Sequence, residues 1–341
     1  MKKLGLLLGV VALLVPSLVL AGDIKIGLMC PLTGKWASEG QDMKNIVSLL
    51  VDETNARGGI NGSKVDLVVE DDAGDPRTAA LAAQKLASAG VKELIVIAQD
   101  ITRYGIDLYH KRMLGELLTE LCKLPFFWIR LHYLYPDDLD DALIDVIARE
   151  PKVLNYIDIP LQHINDGILK RMCRRSTKAE ILALLAKLRD RLPGLVLRTS
   201  LICGLPGEGE AELEELCVFL RETKIERAGV FPFSPEEGTR AARMDHVDME
   251  EARRRAELVV DVQSDIIDAY NESVLGTERE GLCEGFDSQA QMHFGRSYAE
   301  SPDIDGRIWF DADREVEPGT FVTVRLTGVM DGELTGELAE E

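Results

Sequence analysis

The chain has 341 residues, of which 59 are acidic and 39 basic, giving a formal charge of −20, and 46% are hydrophobic. This length admits two or three domains with proper cores. The acidic surplus repels phosphate backbones and attracts basic partners, which excludes naked nucleic acid as a ligand. Six cysteines, at 30, 122, 173, 203, 217 and 283, are too sparse for a disulfide scaffold and form no C-x-x-C or tighter cluster. Four of them sit in apolar surroundings, where a thiol packs as a small hydrophobe rather than as a metal ligand.

In chain order, Lys2 and Lys3 precede an apolar run from Leu4 to Leu20 that is broken by Pro16 and ends near Ala21. This reads as a secretory signal peptide over 1–22, and the run is too short and too interrupted for a stable membrane span. From Asp23 the pattern alternates apolar runs with amphipathic stretches, the signature of strand-helix units with a parallel sheet. Strands are predicted over 24–30, 65–70, 94–99, 127–133, 153–161, 195–203 and 228–233, and helices over 39–57, 76–89, 109–123, 138–149, 177–191 and 209–223. Met249, Ala252, Ala256, Val259, Val262 and Ile266 then recur at helical spacing, predicting a linker helix over 248–273 with one packed face. From 277 onward, short β-prone runs alternate with Gly, Pro and Asp turns, which predicts a small β-barrel. No internal repeat or low-complexity segment interrupts this plan.

Two sets of motifs meet near Gly90. Asp23-Ile-Lys-Ile-Gly-Leu-Met-Cys-Pro-Leu-Thr-Gly, Asn55-Ala-Arg-Gly-Gly-Ile-Asn-Gly and Val68-Val-Glu-Asp-Asp-Ala-Gly-Asp-Pro resemble the periplasmic branched-chain amino-acid binding proteins over residues 1–90. The resemblance implies a βαβα piece of a ligand-binding lobe over 23–90, with the loop Thr33 to Ala37 at the ligand cleft and Trp36 and Ala37 as ligand contacts. Most ligand contacts of that family lie in segments this chain does not have.

From Val91 the motifs change. They run through Trp128-Ile-Arg-Leu-His-Tyr-Leu-Tyr-Pro, Asp158-Ile-Pro-Leu-Gln-His-Ile-Asn-Asp, Arg198-Thr-Ser-Leu-Ile-Cys-Gly-Leu-Pro-Gly-Glu and Val230-Phe-Pro-Phe-Ser-Pro. This order resembles the RimO-type methylthiotransferases, radical S-adenosylmethionine enzymes that modify an aspartate of a small-subunit ribosomal protein. The implied fold class is α/β: a partial radical-SAM-type (β/α) barrel over 91–247, a linker over 248–276 and a TRAM β-barrel over 277–341. Each polar cluster falls at the carboxyl end of a predicted strand, so Gln162, His163, Arg198 and Glu208 are candidates to converge at the barrel mouth. Gly204-Leu-Pro-Gly-Glu is not a nucleotide P-loop, since no G-x-x-x-x-G-K-[ST] follows. By resemblance it borders the S-adenosylmethionine pocket, which makes Gln162, His163, Arg198, Gly204 and Glu208 the candidate cofactor-binding residues. The segment 277–341 holds 16 acidic and 5 basic residues, and this charge favours a basic ribosomal protein over RNA as the partner.

The resemblance also implies 4Fe-4S clusters, held in that family by a C-x-x-x-C-x-x-C loop. This chain has no such motif, and residues 1–90 stand where the loop would be. The expectation is therefore a hybrid that does not catalyse methylthiolation, with a signal peptide directing it to the periplasm and an enzyme portion suited to the cytoplasm. A junction of two reading frames accounts for that conflict. The smoothness of the junction suggests that strand 65–70 and helix 76–89 replace the first strand-helix unit of the barrel, with a right-handed crossover to the strand at 94. Rival readings are an exported amino-acid binding fragment and a non-catalytic module that binds a basic protein.

Overall fold

A computed structural model describes residues 24–60 and 63–339, so the leader expected over 1–22 lies outside the described residues. Strand β1 (Ile24–Cys30), helix α1 (Ala37–Ala56), β2 (Val65–Asp71) and α2 (Pro76–Ser88) form the first unit. β1 and β2 pair in parallel from Ile24↔Val65 to Cys30↔Asp71. The carboxylate of Asp75 accepts the amides of Arg77 and Thr78, capping α2 at the turn where Pro76 enters it. The two helices differ in what they bury. α1 buries only Gly40 and leaves Met43, Ile46, Leu49 and Leu50 exposed, whereas α2 places Ala83, Leu86 and Ala87 in the main core.

The second unit comprises β3 (Glu93–Val96), α3 (Ile106–Tyr109), α4 (Leu114–Leu121), β4 (Trp128–Leu131), α5 (Asp141–Arg149), β5 (Val153–Asp158), α6 (Asp166–Arg171), α7 (Lys178–Arg191), β6 (Val196–Cys203), α8 (Glu210–Thr223) and β7 (Arg227–Pro232). The five strands form one parallel sheet in the order β3-β4-β5-β6-β7. The expectation that strand 65–70 would join this sheet is overturned: β2 pairs with β1 in a separate two-stranded sheet, and among the described residues β3 pairs only with β4. α2 is what the two sheets share. Its Leu86 packs so tightly on Gly27 of β1 that a Cβ there would lie 2.9 Å from Leu86 Cδ2, while the same residue belongs to the large core. The helix thus supports the sheet from its core side without bringing a strand to the open edge of β3.

The helix expected over 109–123 is interrupted, because His110 adopts φ 55° and ends α3 before α4 begins. The short α6 was not expected; Asn165 starts it by accepting the amides of Gly167 and Ile168. Alternation along β6 sends Leu197, Leu201 and Cys203 into the helix-covered core, and leaves Arg198, Ser200 and Ile202 on the concave face.

α9 (Met249–Val274) buries Ala252, Ala256, Val259 and Val262, the face expected of the linker helix. It leads into β8 (Glu278–Asp287), β9 (Met292–Ser297), β10 (Ile308–Asp311), β11 (Phe321–Met330) and β12 (Glu333–Leu338), which close into the expected small barrel in the order β10-β12-β11-β8-β9. Cys283, Ile308, Phe310, Val324, Leu326 and Leu334 fill it. The segment after β9 plugs the concave face of the large sheet. Leu282 and Ala299 pack with Trp128, Leu154, Tyr156 and Val196 there, and Arg130 donates to the Tyr298 carbonyl at 2.8 Å. Among the described residues, no helix is long and apolar enough to cross a membrane.

Candidate cofactor-binding site

A cavity of about 400 Å³ opens at the carboxyl ends of β5, β6 and β7, lined by Gln162, Ser200, Ile202, Leu205, Pro206 and Phe231 among others. Its walls follow from local chain geometry. Gln162 lies just past β5, its N–H donating to the Ser200 carbonyl and its own carbonyl accepting from Ile202 N–H, both at 2.8 Å, so it adds one rung beside β6. It does so at φ 68°, a left-handed conformation that non-glycine residues hold only when their surroundings impose it. Tyr133 adopts φ 61° just past β4, so two adjacent strand ends share this trait.

His163 is fully buried behind this wall rather than in it. Its Nδ1 accepts the Asn165 amide at 3.0 Å, so a proton on the neutral ring sits on Nε2, which faces Glu208 Oε2 at 3.5 Å. Among the described residues, neither of those two atoms has a hydrogen-bond partner. Glu208 Oε1 accepts the Gly204 amide at 2.8 Å and Arg255 Nη1 at 3.1 Å. Burial pushes the Glu208 carboxyl up, but the facing His163 ring, the Gly204 amide and Arg255 outweigh it, and the group lies below its ordinary value. Gly204 itself takes φ 82° and packs against α9, where a Cβ would come within 2.6 Å of Ala252 Cβ.

Of the five candidates, Gln162 thus lines the cavity, while His163, Gly204 and Glu208 form one buried cluster behind it. Arg198 joins neither group. It lies further down the concave face, with Nη1 3.2 Å from Asp158 Oδ1 and Nε 3.5 Å from Asp305 Oδ1. Asp158 also meets His132, whose Nε2 lies 3.0 Å from Ser301 Oγ. Ser301 and Asp305 belong to the plugging segment, so Arg198 and His132 contribute to domain docking. In the first unit, Asp71 accepts the Leu32 and Thr33 amides and the Thr33 hydroxyl, fixing the loop that leads to Trp36 and Ala37. Trp36 is 51% exposed, ahead of the first turn of α1, with Lys35 Nζ 4.8 Å from its ring centre. Sequence reasoning missed Ser200 and Phe231 as lining residues and Arg255 as a partner of Glu208. The alternation of β6 is the signal that identifies Ser200, two residues beyond Arg198.

Among the described residues, the thiols are not gathered at one place. Cys203 and Cys217 are buried on the helix side of β6, and Cys283 fills the small barrel. Burial pushes the Cys203 thiol up to about 12 and the Cys283 thiol up to about 11, which opposes the thiolate form that iron requires. Among the described residues, no three His, Cys, Asp or Glu side chains are grouped to hold a metal ion.

This architecture is mixed α/β with a small C-terminal β-barrel, and three family matches divide it: a periplasmic binding protein over residues 23–109, the Radical SAM superfamily over 69–220 and a TRAM domain over 275–339. Both resemblances carried by the motifs are therefore present, and the first two matches overlap across α2 and β3. Among individual proteins, the chain is 43% identical over 283 residues to the ribosomal protein uS12 methylthiotransferase RimO of Caldanaerobacter subterraneus subsp. tengcongensis, covering 82% of this chain and 62% of that one. It is 45% identical to the RimO of Symbiobacterium thermophilum, covering 76% and 54%. The chain thus spans between about half and two thirds of the length of these relatives. Coproporphyrinogen III oxidase (HemN) from Escherichia coli, a solved radical SAM enzyme, aligns with TM-score 0.45 and 13% identity over 82% of this chain and 65% of that one.

Proposed function

We propose that residues 91–341 are the barrel and TRAM portion of a RimO-type ribosomal protein methylthiotransferase, joined to the start of an exported branched-chain amino-acid binding protein, and that this hybrid does not methylthiolate its target. The observation that carries the second half is the dispersal of the thiols, four of which are buried. In radical S-adenosylmethionine chemistry a cluster with one open iron chelates the cofactor and passes it an electron. Without three converging thiolates that electron has no entry, so no step is assigned to the cluster.

The adenosyl end of S-adenosylmethionine suits the cavity at the ends of β5 to β7. Phe231, Ile202 and Leu205 offer an apolar slot, and Gln162 and Ser200 offer hydrogen-bonding groups. The proposed protein partner is uS12, with the acidic C-terminal segment as the contact surface for a basic protein. Residues 1–22 are proposed as the export leader, which sets the first part of the chain against the cytoplasmic setting of the rest; joining of two genes resolves the conflict.

The test is to incubate the chain anaerobically with uS12, S-adenosylmethionine, sulfide and a reductant, followed by mass spectrometry of uS12. Unmodified uS12 is expected beside a full-length RimO control that modifies it. A methylthio group added to uS12 by this chain would overturn the proposal.

A further inference from the structure

We infer that Arg255 is a positioning residue that lets α9 set the shape of the cofactor cavity through Glu208. This rests on the reading of that cavity as the adenosyl site. The guanidinium is buried, at 6% exposure, and is held from three sides. Its Nε donates to Glu251 Oε1 at 2.7 Å, one turn earlier on α9, and its Nη1 donates to the Glu208 carbonyl at 2.9 Å and to Glu208 Oε1 at 3.1 Å. The same Oε1 receives the Gly204 amide, which fixes the first residue of the loop whose next two residues, Leu205 and Pro206, line the cavity. The other carboxylate oxygen faces only His163 Nε2.

Further along the loop the Leu205 carbonyl accepts the Glu208 amide at 2.9 Å and the Gly207 carbonyl accepts Arg171 Nη1 at 3.2 Å, but the Gly204 amide itself is held by Glu208 Oε1. Gly204 rests directly on Ala252 of α9, three residues before Arg255 and on the same helix face. A movement of α9, which continues into the C-terminal barrel, is therefore passed by one buried ion pair to the cavity wall. His163 and Glu208 act behind that wall as supports, in place of the ligand contacts expected from their position after the strands.

The test compares the full chain with Arg255→Met, Arg255→Lys and Arg254→Ala. Arg254 bonds Glu251 and Glu210 at the surface but not Glu208, and serves as the control. Calorimetry with S-adenosylmethionine and with S-adenosylhomocysteine is expected to show binding weakened by about tenfold or more in Arg255→Met, as loss of an orienting partner does. Binding should be partly restored in Arg255→Lys and unchanged in Arg254→Ala. Hydrogen exchange at the Gly204 amide is the ligand-independent readout, with protection lost in Arg255→Met alone. Should Arg255→Met not fold, Glu251→Ala, which removes the Nε anchor together with the Arg254 contact, is judged by the same criteria against Arg254→Ala, which removes the Arg254 contact alone. Native affinity with retained Gly204 protection in the Arg255 variants overturns the inference. If the unmodified chain binds neither compound, the cavity reading fails, and Gly204 exchange alone decides whether the clamp exists.

Discussion

Arg130 is fully buried, its Nε donates to Glu93 Oε1 at 2.7 Å, and its guanidinium lies 4.7 Å from the Tyr156 ring centre. Arg296 of the small barrel meets the other Glu93 oxygen at 2.8 Å, so one carboxylate joins two arginines from different domains. Removing one member of such a buried network strands the others' charges. Arg130→Met is expected to lower stability by about 3–5 kcal/mol in denaturant titration, whereas a loss below about 1 kcal/mol would show the pair to be screened like a surface bridge. Burial pushes the Glu93 carboxyl up, but Arg130 and Arg296 outweigh it and hold the group below its ordinary value, as Glu208 is held. A carboxylate with a lowered folded pKa contributes stability that is complete above its unfolded value and is lost as pH falls through the folded one. Stability should therefore be flat from neutrality to about pH 5 and fall below about pH 4, with the fall reduced in Glu93→Gln. The thiols give a separate residue-scale check. Cys173 is exposed, while Cys30, Cys203, Cys217 and Cys283 are buried, so a thiol reagent on the native chain should label Cys173 first and the four buried ones only on unfolding.

At the level of elements, the predicted strands and the barrel reading fared well because each rests on a local pattern: apolar runs bounded by turns, or alternation along one strand. The span 195–203 and the observed β6 agree to within a residue, since burial alternates along it and Cys203 ends it beside Gly204 at φ 82°. What the pattern did not reveal depends on residues far apart. Helix α2 looks equally able to feed either sheet, and only the parallel pairing of β2 with β1 shows that it stays in the first one, while Leu86 packs against both Gly27 and the large core. Arg198, likewise, is a mouth candidate in the sequence because its polar cluster is assigned to the carboxyl end of a predicted strand, whereas Asp305, more than a hundred positions later, meets it at the domain junction. Arg255 escaped notice because its partner lies 47 positions away on another element. The asymmetry between α1 and α2 carries its own expectation. Leu86→Ala should cost about 2–5 kcal/mol as a core truncation, while Leu49→Ala on the exposed face of α1 should stay within about 0.5 kcal/mol, both read by thermal melts.

For the whole molecule, the large sheet, α9 and the small barrel share buried ion pairs and one packed face, so they are expected to unfold as one cooperative unit. The β1-α1-β2 unit, held through α2 and with most of α1 exposed, should exchange its amide hydrogens earlier; uniform protection along the chain would contradict that division. The charge of −20, the acidic C-terminal segment and the cavity at the strand ends fit the proposed barrel-and-TRAM portion of a methylthiotransferase, and the scattered thiols set its limit. The most direct test of that limit is anaerobic reconstitution of the full chain with iron and sulfide, followed by iron counting and an assay for reductive cleavage of S-adenosylmethionine. The account predicts no stoichiometric iron and no cleavage. Several irons per chain together with 5′-deoxyadenosine formation would contradict it, because with only Cys122 and Cys173 outside the buried set, at least one buried thiol would have to be released and three would have to converge.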